Sequence, residues 1–103
     1  MKIWLDDLKE KLPGYVRVYS VDDAKRLIED CEAKGEPIEM IELDYDLGEY
    51  ELHGGKGLRL LEWLHGRGTH YPVDVHSTHI YGAPEMRKYI WKNWPQSPQD
   101  TPF

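Results

Sequence analysis

An α/β fold with a short, mainly parallel sheet of about four strands is predicted by three features of the chain. Short apolar runs end abruptly in polar clusters, the segments between later runs carry helical periodicity, and no internal repeat or interdomain linker interrupts them. Met1 to Leu5 is such a run, closed by Asp6-Asp7, and reads as the first strand. Residues 15–19, Tyr-Val-Arg-Val-Tyr, follow the turn former Pro13-Gly14 and read as the second, leaving Leu8 to Leu12 room for one helical turn at most. Ser20 then precedes Val21-Asp22-Asp23 as an N-cap with acidic residues behind it. Ala24, Leu27, Ile28 and Cys31 continue at helical spacing, so a helix is predicted that ends near Gly35. Residues 38–43 form the third strand candidate, in which Glu42 sits awkwardly if both sheet faces are covered. A loop rich in turn formers runs from Asp44 through Gly55, and a second helix from near Gly57 carries Leu60, Leu61 and Leu64 until Gly66 and Gly68. Residues 72–76 are the fourth strand, and Pro84 opens a last helix with Met86, Ile90 and Trp94 inward.

The resulting order is β, β, α, β, α, β, α. Such a sheet places ligands beyond the carboxyl ends of its strands. The 103 residues suffice for one core, so residues 1–94 are read as one domain and 95–103, with three prolines and no periodicity, as a loose tail. Nineteen acidic against thirteen basic residues give a net charge of -6, which argues against non-specific binding to duplex nucleic acid. An anionic ligand would need a local cation. Cys31 is the only cysteine and reads as packing. With neither a signal-peptide pattern at the start nor an apolar run of about 18 residues, a cytoplasmic location without membrane partners is expected; oligomeric state is left open.

The polar clusters at the strand ends are Asp6-Asp7, Asp44-Tyr45-Asp46 and His76-Ser77, and they are predicted to converge on one edge. Carboxylates brought that close raise one another's pKa, and a cation relieves the repulsion. Asp6, Asp7 and Asp44 are therefore assigned to metal binding, with magnesium or manganese suited to oxygen ligands open to a phosphate. Zinc is the lesser alternative, since the pair His76 and His79 beside carboxylates arises readily by chance. His76 is the candidate general acid/base, and Asp44, Asp46 and Ser77 complete the catalytic set. Ser77, His79 and Gly82 are assigned to substrate binding, the loop from Ser77 to Gly82 offering backbone N–H groups ahead of a helix N-terminus. Trp91 and Trp94 are read as core.

Taken together, Met1-Lys-Ile-Trp-Leu-Asp-Asp-Leu, Leu43-Asp-Tyr-Asp-Leu-Gly48, Val75-His-Ser-Thr-His79, Gly82 and Met86-Arg-Lys-Tyr-Ile90 resemble the cyclic-phosphate processing receiver domain family, from residue 1 to about residue 91. The resemblance implies a truncated flavodoxin- or receiver-like three-layer fold and action on cyclic or terminal phosphates of nucleotides or RNA ends, in RNA repair and prokaryotic conflict systems. It places a receiver's acidic pair on Asp6 and Asp7, the phosphoacceptor-like aspartate on Asp44, a backbone metal contact at Asp46, and the family's added His-Ser on His76 and Ser77. Tyr45 stands where the family usually has His, and His79 where it has Asn, departures that bear on substrate positioning. Ordinary receivers also use a lysine after a fifth strand; none is available here, which argues against conventional phosphorelay signalling.

The leading expectation is thus a metal-dependent phosphodiesterase or phosphatase acting on a nucleotide or phosphorylated RNA end, with water or Asp44 as the attacking group. The alternative is a non-catalytic receiver-like module that binds a nucleotide signal or a protein partner. A haloacid-dehalogenase-like phosphatase, which shares the Asp-x-Asp motif, needs further motifs for which the chain is too short.

Overall fold

The computed structural model describes residues 1–95. The expected tail, apart from Pro95, lies outside the described residues. Four strands, β1 (Lys2–Leu5), β2 (Val16–Val18), β3 (Met40–Leu43) and β4 (Val73–Val75), and three helices, α1 (Val21–Lys34), α2 (Leu58–Arg67) and α3 (Gly82–Asn93), follow in the order β1, β2, α1, β3, α2, β4, α3. The sheet order is β2-β1-β3-β4, and every pair is parallel. This is the receiver-like α/β arrangement expected from the sequence. No helix among the described residues is long and apolar enough to cross a membrane.

Local chemistry explains the elements. The Ser20 hydroxyl accepts from the Asp23 N–H at 3.1 Å, which caps α1, and Asp22 and Asp23 lie favourably against the positive end of its dipole. Gly35 ends the helix at φ 69°, donating to the Cys31 and Glu32 carbonyls. Val21, Ala24, Ile28 and Cys31 form the buried face. One stretch read as irregular, Gly48–Leu52, is a short 3₁₀ turn. Its cause is local, since the Glu51 carboxylate accepts from the Leu47 N–H at 3.0 Å.

The strands divide their side chains cleanly between two faces. Ile3, Leu5, Val18, Ile41, Leu43 and Val75 join α1, α2 and α3 in one hydrophobic core. Trp4 is also buried, at 6% exposure, yet lies outside that core. Its neighbours in register are Arg17 and Glu42, and Glu42 in turn pairs with Asp74. Because side chains alternate along a strand, these residues share the opposite face. Among the described residues that face carries no helix, so the layering differs from the three layers expected. The difference arises in the β1–β2 connection, residues 6–15, which forms no helix. Side chains hold it instead: the Asp6 carboxylate accepts from the Leu8 and Lys9 N–H groups at 2.9 and 3.2 Å, and the Arg17 guanidinium donates to the carbonyls of Asp6 and Lys9.

At the other margin of the sheet, β4 has no fifth strand beside it among the described residues. The Val75 N–H is taken by the Asp74 carboxylate at 3.0 Å, and the Val75 carbonyl accepts from Arg87 at 3.2 Å. Both groups are satisfied by side chains of this chain.

Candidate functional site

Leu5, Leu43 and Val75 stand abreast in the parallel register, so the next residue of each strand emerges at the same level. Those residues are Asp6, Asp44 and His76. Backbone bonds fix them there: Asp6 N–H to Val18 O at 3.2 Å, Asp44 N–H to Leu5 O at 3.0 Å and His76 N–H to Leu43 O at 3.1 Å. Ligand-type atoms of the three lie within 4.8 Å of one another. The predicted convergence of strand ends is therefore present.

Asp6 is fully buried, with its Oδ2 2.8 Å from His76 Nε2. Burial pushes its pKa up, but the Leu8 N–H, the His76 ring and the Lys9 N–H outweigh that and hold the carboxyl below its usual range. An ionised carboxylate only accepts, so His76 Nε2 carries the proton in this bond. The ring stacks on Trp4 with centroids 4.2 Å apart, and its buried Nδ1 has no hydrogen-bond partner.

A cavity of about 310 Å³ opens beside this group, walled by Asp7, Lys9, Asp44, Asp46, Ser77 and His79 among others. Asp6 and His76 are behind this wall, not on it. Asp7 lies against Gly48, where an added Cβ would come within 2.7 Å of its Oδ2. Burial, followed by the charges of Asp6, Asp44 and Glu51, raises its carboxyl pKa. Asp46 is 2.9 Å from the Lys56 ammonium and 3.7 Å from His79 Nε2. Ser77 accepts the His79 N–H at 3.1 Å, which leaves its own O–H to donate.

The loop before α3 differs from the phosphate cradle expected. The N–H groups of Tyr81 and Gly82 donate to His79 Nδ1 at 3.2 and 2.8 Å, so the imidazole caps the helix and those groups are already occupied. His79 is thereby held with its proton on Nε2, the nitrogen nearer Asp46. Gly82 does not line the cavity. It lies under the Tyr45 ring, whose atoms an added Cβ would meet at 2.2 to 2.5 Å. The same ring packs on His79 at 4.7 Å and beneath the Lys56 ammonium at 5.0 Å. Sequence reasoning missed Lys9, Arg17 and Gly57; the only signal for Lys9 was its place directly after the acidic pair. Of the two tryptophans read as core, Trp94 is buried and donates its indole N–H to the Tyr71 carbonyl at 2.8 Å, whereas Trp91, on the outer side of α3, is 48% exposed. Cys31, read as packing, is free and buried.

Asp6, Asp44 and His76 form a group that could hold a metal ion, and Asp7 adds a third carboxylate nearby, a crowding of charge that a cation would relieve.

Glu42 is 8% exposed on the helix-free face and directly beside Asp74. Burial first, then the charge and hydrogen bond of Asp74, push its carboxyl from 4.5 up to about 7. The folded protein keeps this proton between about pH 4.5 and 7, where the unfolded chain releases it, so stability falls as pH rises through that window. Glu42→Gln removes this dependence. Relative to wild type, the variant is expected to gain on the order of 1–2 kcal/mol between pH 5 and pH 8. Melting both proteins at the two pH values checks it, and an unchanged difference would mean that Glu42 ionises freely.

A parallel sheet with acidic and imidazole side chains gathered at its carboxyl edge defines a receiver-like domain with a candidate metal site. The sequence model of the family described as "Cyclic-phosphate processing Receiver domain" matches residues 1–92. The chain belongs to that family. No curated protein and no solved structure was found to match it.

Proposed function

We propose that the protein hydrolyses a cyclic or terminal phosphate on a nucleotide or RNA end with the help of magnesium or manganese. The observation that supports this most is the approach of Asp6, Asp44 and His76 to within 4.8 Å beside a cavity of about 310 Å³, in a chain of a family described by cyclic-phosphate processing. Asp44, with Asp6 and Asp7, would hold the ion, which supplies charge neutralisation at the phosphoryl oxygens when bound. The His79 Nε2–H and the Ser77 O–H donate to the same oxygens. For a cyclic diester and water as the attacking group, a water oxygen bonds to phosphorus, one ring P–O bond breaks, and the departing oxygen takes a proton while the water loses one.

The geometry favours a positioning role for His76 over proton transfer, because its Nε2 is engaged with Asp6 and the ring lies outside the cavity wall. The test is a panel of 2′,3′-cyclic nucleotides, cyclic dinucleotides and phosphorylated RNA ends, with magnesium, manganese or chelator. His76→Ala is expected to weaken metal affinity and turnover together. A fall of ~10²- to 10⁴-fold in kcat with metal affinity intact would instead make His76 the proton carrier. If wild type turns over none of the panel with either metal, the non-catalytic binding reading replaces hydrolysis.

A further inference from the structure

We propose that Lys9 is the cationic anchor for a phosphoryl oxygen in the cavity, an inference that rests on the metal-assisted reading above. Lys9 is the only Lys or Arg among the described residues that line this cavity, where it faces the carboxylates of Asp7, Asp44 and Asp46. Its ammonium donates to the His76 carbonyl at 3.0 Å and stands 4.0 Å from Asp44 Oδ2. The second distance is too long for a hydrogen bond, so two of its three N–H groups remain for a ligand.

The backbone beneath this side chain is unusually constrained for a loop. The Lys9 N–H goes to the fully buried Asp6 carboxylate, and the Lys9 carbonyl accepts from Arg17, which also holds the Asp6 carbonyl. Both main-chain groups of Lys9 are thus tied, one to the residue after β1 and the other to β2. The ammonium is then tethered at its far end to the residue after β4. A lysine placed for solubility needs none of this. A lysine that must meet an anion beside a buried carboxylate needs all of it, because holding a flexible cation in advance lowers the entropy lost on binding. Arg17 is accordingly a positioning residue for Lys9.

The proposal requires opposite responses from two ligands. An ammonium 4.0 Å from Asp44 repels an incoming metal ion and attracts phosphate. Calorimetric titration of wild type and Lys9→Met with magnesium alone, and with inorganic phosphate in the presence of magnesium, reads both. Lys9→Met is expected to bind phosphate about 10- to 100-fold more weakly and magnesium as well as wild type or better, while Lys9→Arg retains most phosphate affinity. Equal phosphate binding by wild type and Lys9→Met, a parallel fall in both ligands, or no phosphate binding by wild type would overturn it. Failure of the underlying reading has a different signature: wild type binds neither magnesium nor manganese. Phosphate titrated into the metal-free proteins then still decides for Lys9 by whether Lys9→Met weakens it.

Discussion

Asp44→Asn is expected to reduce magnesium or manganese affinity by on the order of 100-fold or more, while the metal-free protein stays as stable as wild type or gains stability. The two effects have one origin. Asp44 is 8% exposed, belongs to the group that could hold the ion, and carries one of the charges that raise the pKa of Asp7, so removing its charge takes away both a ligand for the cation and a repulsion that is felt without one. Asparagine keeps the size and retains an oxygen for the Tyr45 N–H, which the Asp44 Oδ1 accepts at 2.8 Å. Calorimetry measures the first effect and thermal melting in chelator the second. Unchanged metal affinity would remove Asp44 from the site, whereas a large loss of stability would make the residue structural.

Gly57→Ala is expected to have the largest effect on the fold. An added Cβ at Gly57 would lie 1.9 Å from the Asp44 carbonyl oxygen and 3.0 Å from its carbon, and both are backbone atoms with nowhere to move. The φ of Gly57, -52°, suits any residue, so the penalty is contact and not backbone strain. Relief requires α2 to retreat from the end of β3, the very point that carries Asp44. A loss of about 2–4 kcal/mol follows, with a fall in Tm on the order of 10–20 °C and weaker metal binding in whatever remains folded. Gly66→Ala is the control. It lies inside α2 with open space around it, and the better helix propensity of alanine should stabilise the protein by up to about 1 kcal/mol. A mild Gly57→Ala would mean that the helix and strand are less closely held than their geometry implies.

What could be read in advance and what could not divide along physical lines. The α1 helix was legible because both its cap, Ser20, and its apolar spacing are local. The meeting of Asp6, Asp44 and His76 followed from parallel strands that end in polar residues, a consequence of topology alone. Glu42 carries a signal of its own in the sequence. A carboxylate in mid-strand conflicted with two covered faces, and Arg17, Glu42 and Asp74, alternating with apolar residues, already marked one face as free of helices. Lys9, Gly57 and the capping role of His79 depend on contacts that spacing does not encode. Lys9 reaches Asp44 and His76 across the sheet, Gly57 touches a carbonyl from another element, and nothing in Ser-Thr-His says which imidazole nitrogen the next helix will use. For the same reason His76, chosen for its titration range, proved to face Asp6 and not the cavity.

The side-chain closure of β4 bears on how so small a sheet survives in a crowded solution. A strand margin with free N–H and C=O groups is a template on which another polypeptide can add, and a receiver-like sheet lacking its fifth strand would present one. Here Asp74 and Arg87 occupy the two groups of Val75, and the negative charge of Asp74 repels an approaching strand of like charge. At that point of the margin an incoming strand finds both hydrogen-bonding groups already taken, so these two side chains blunt the end of β4 nearest the cavity.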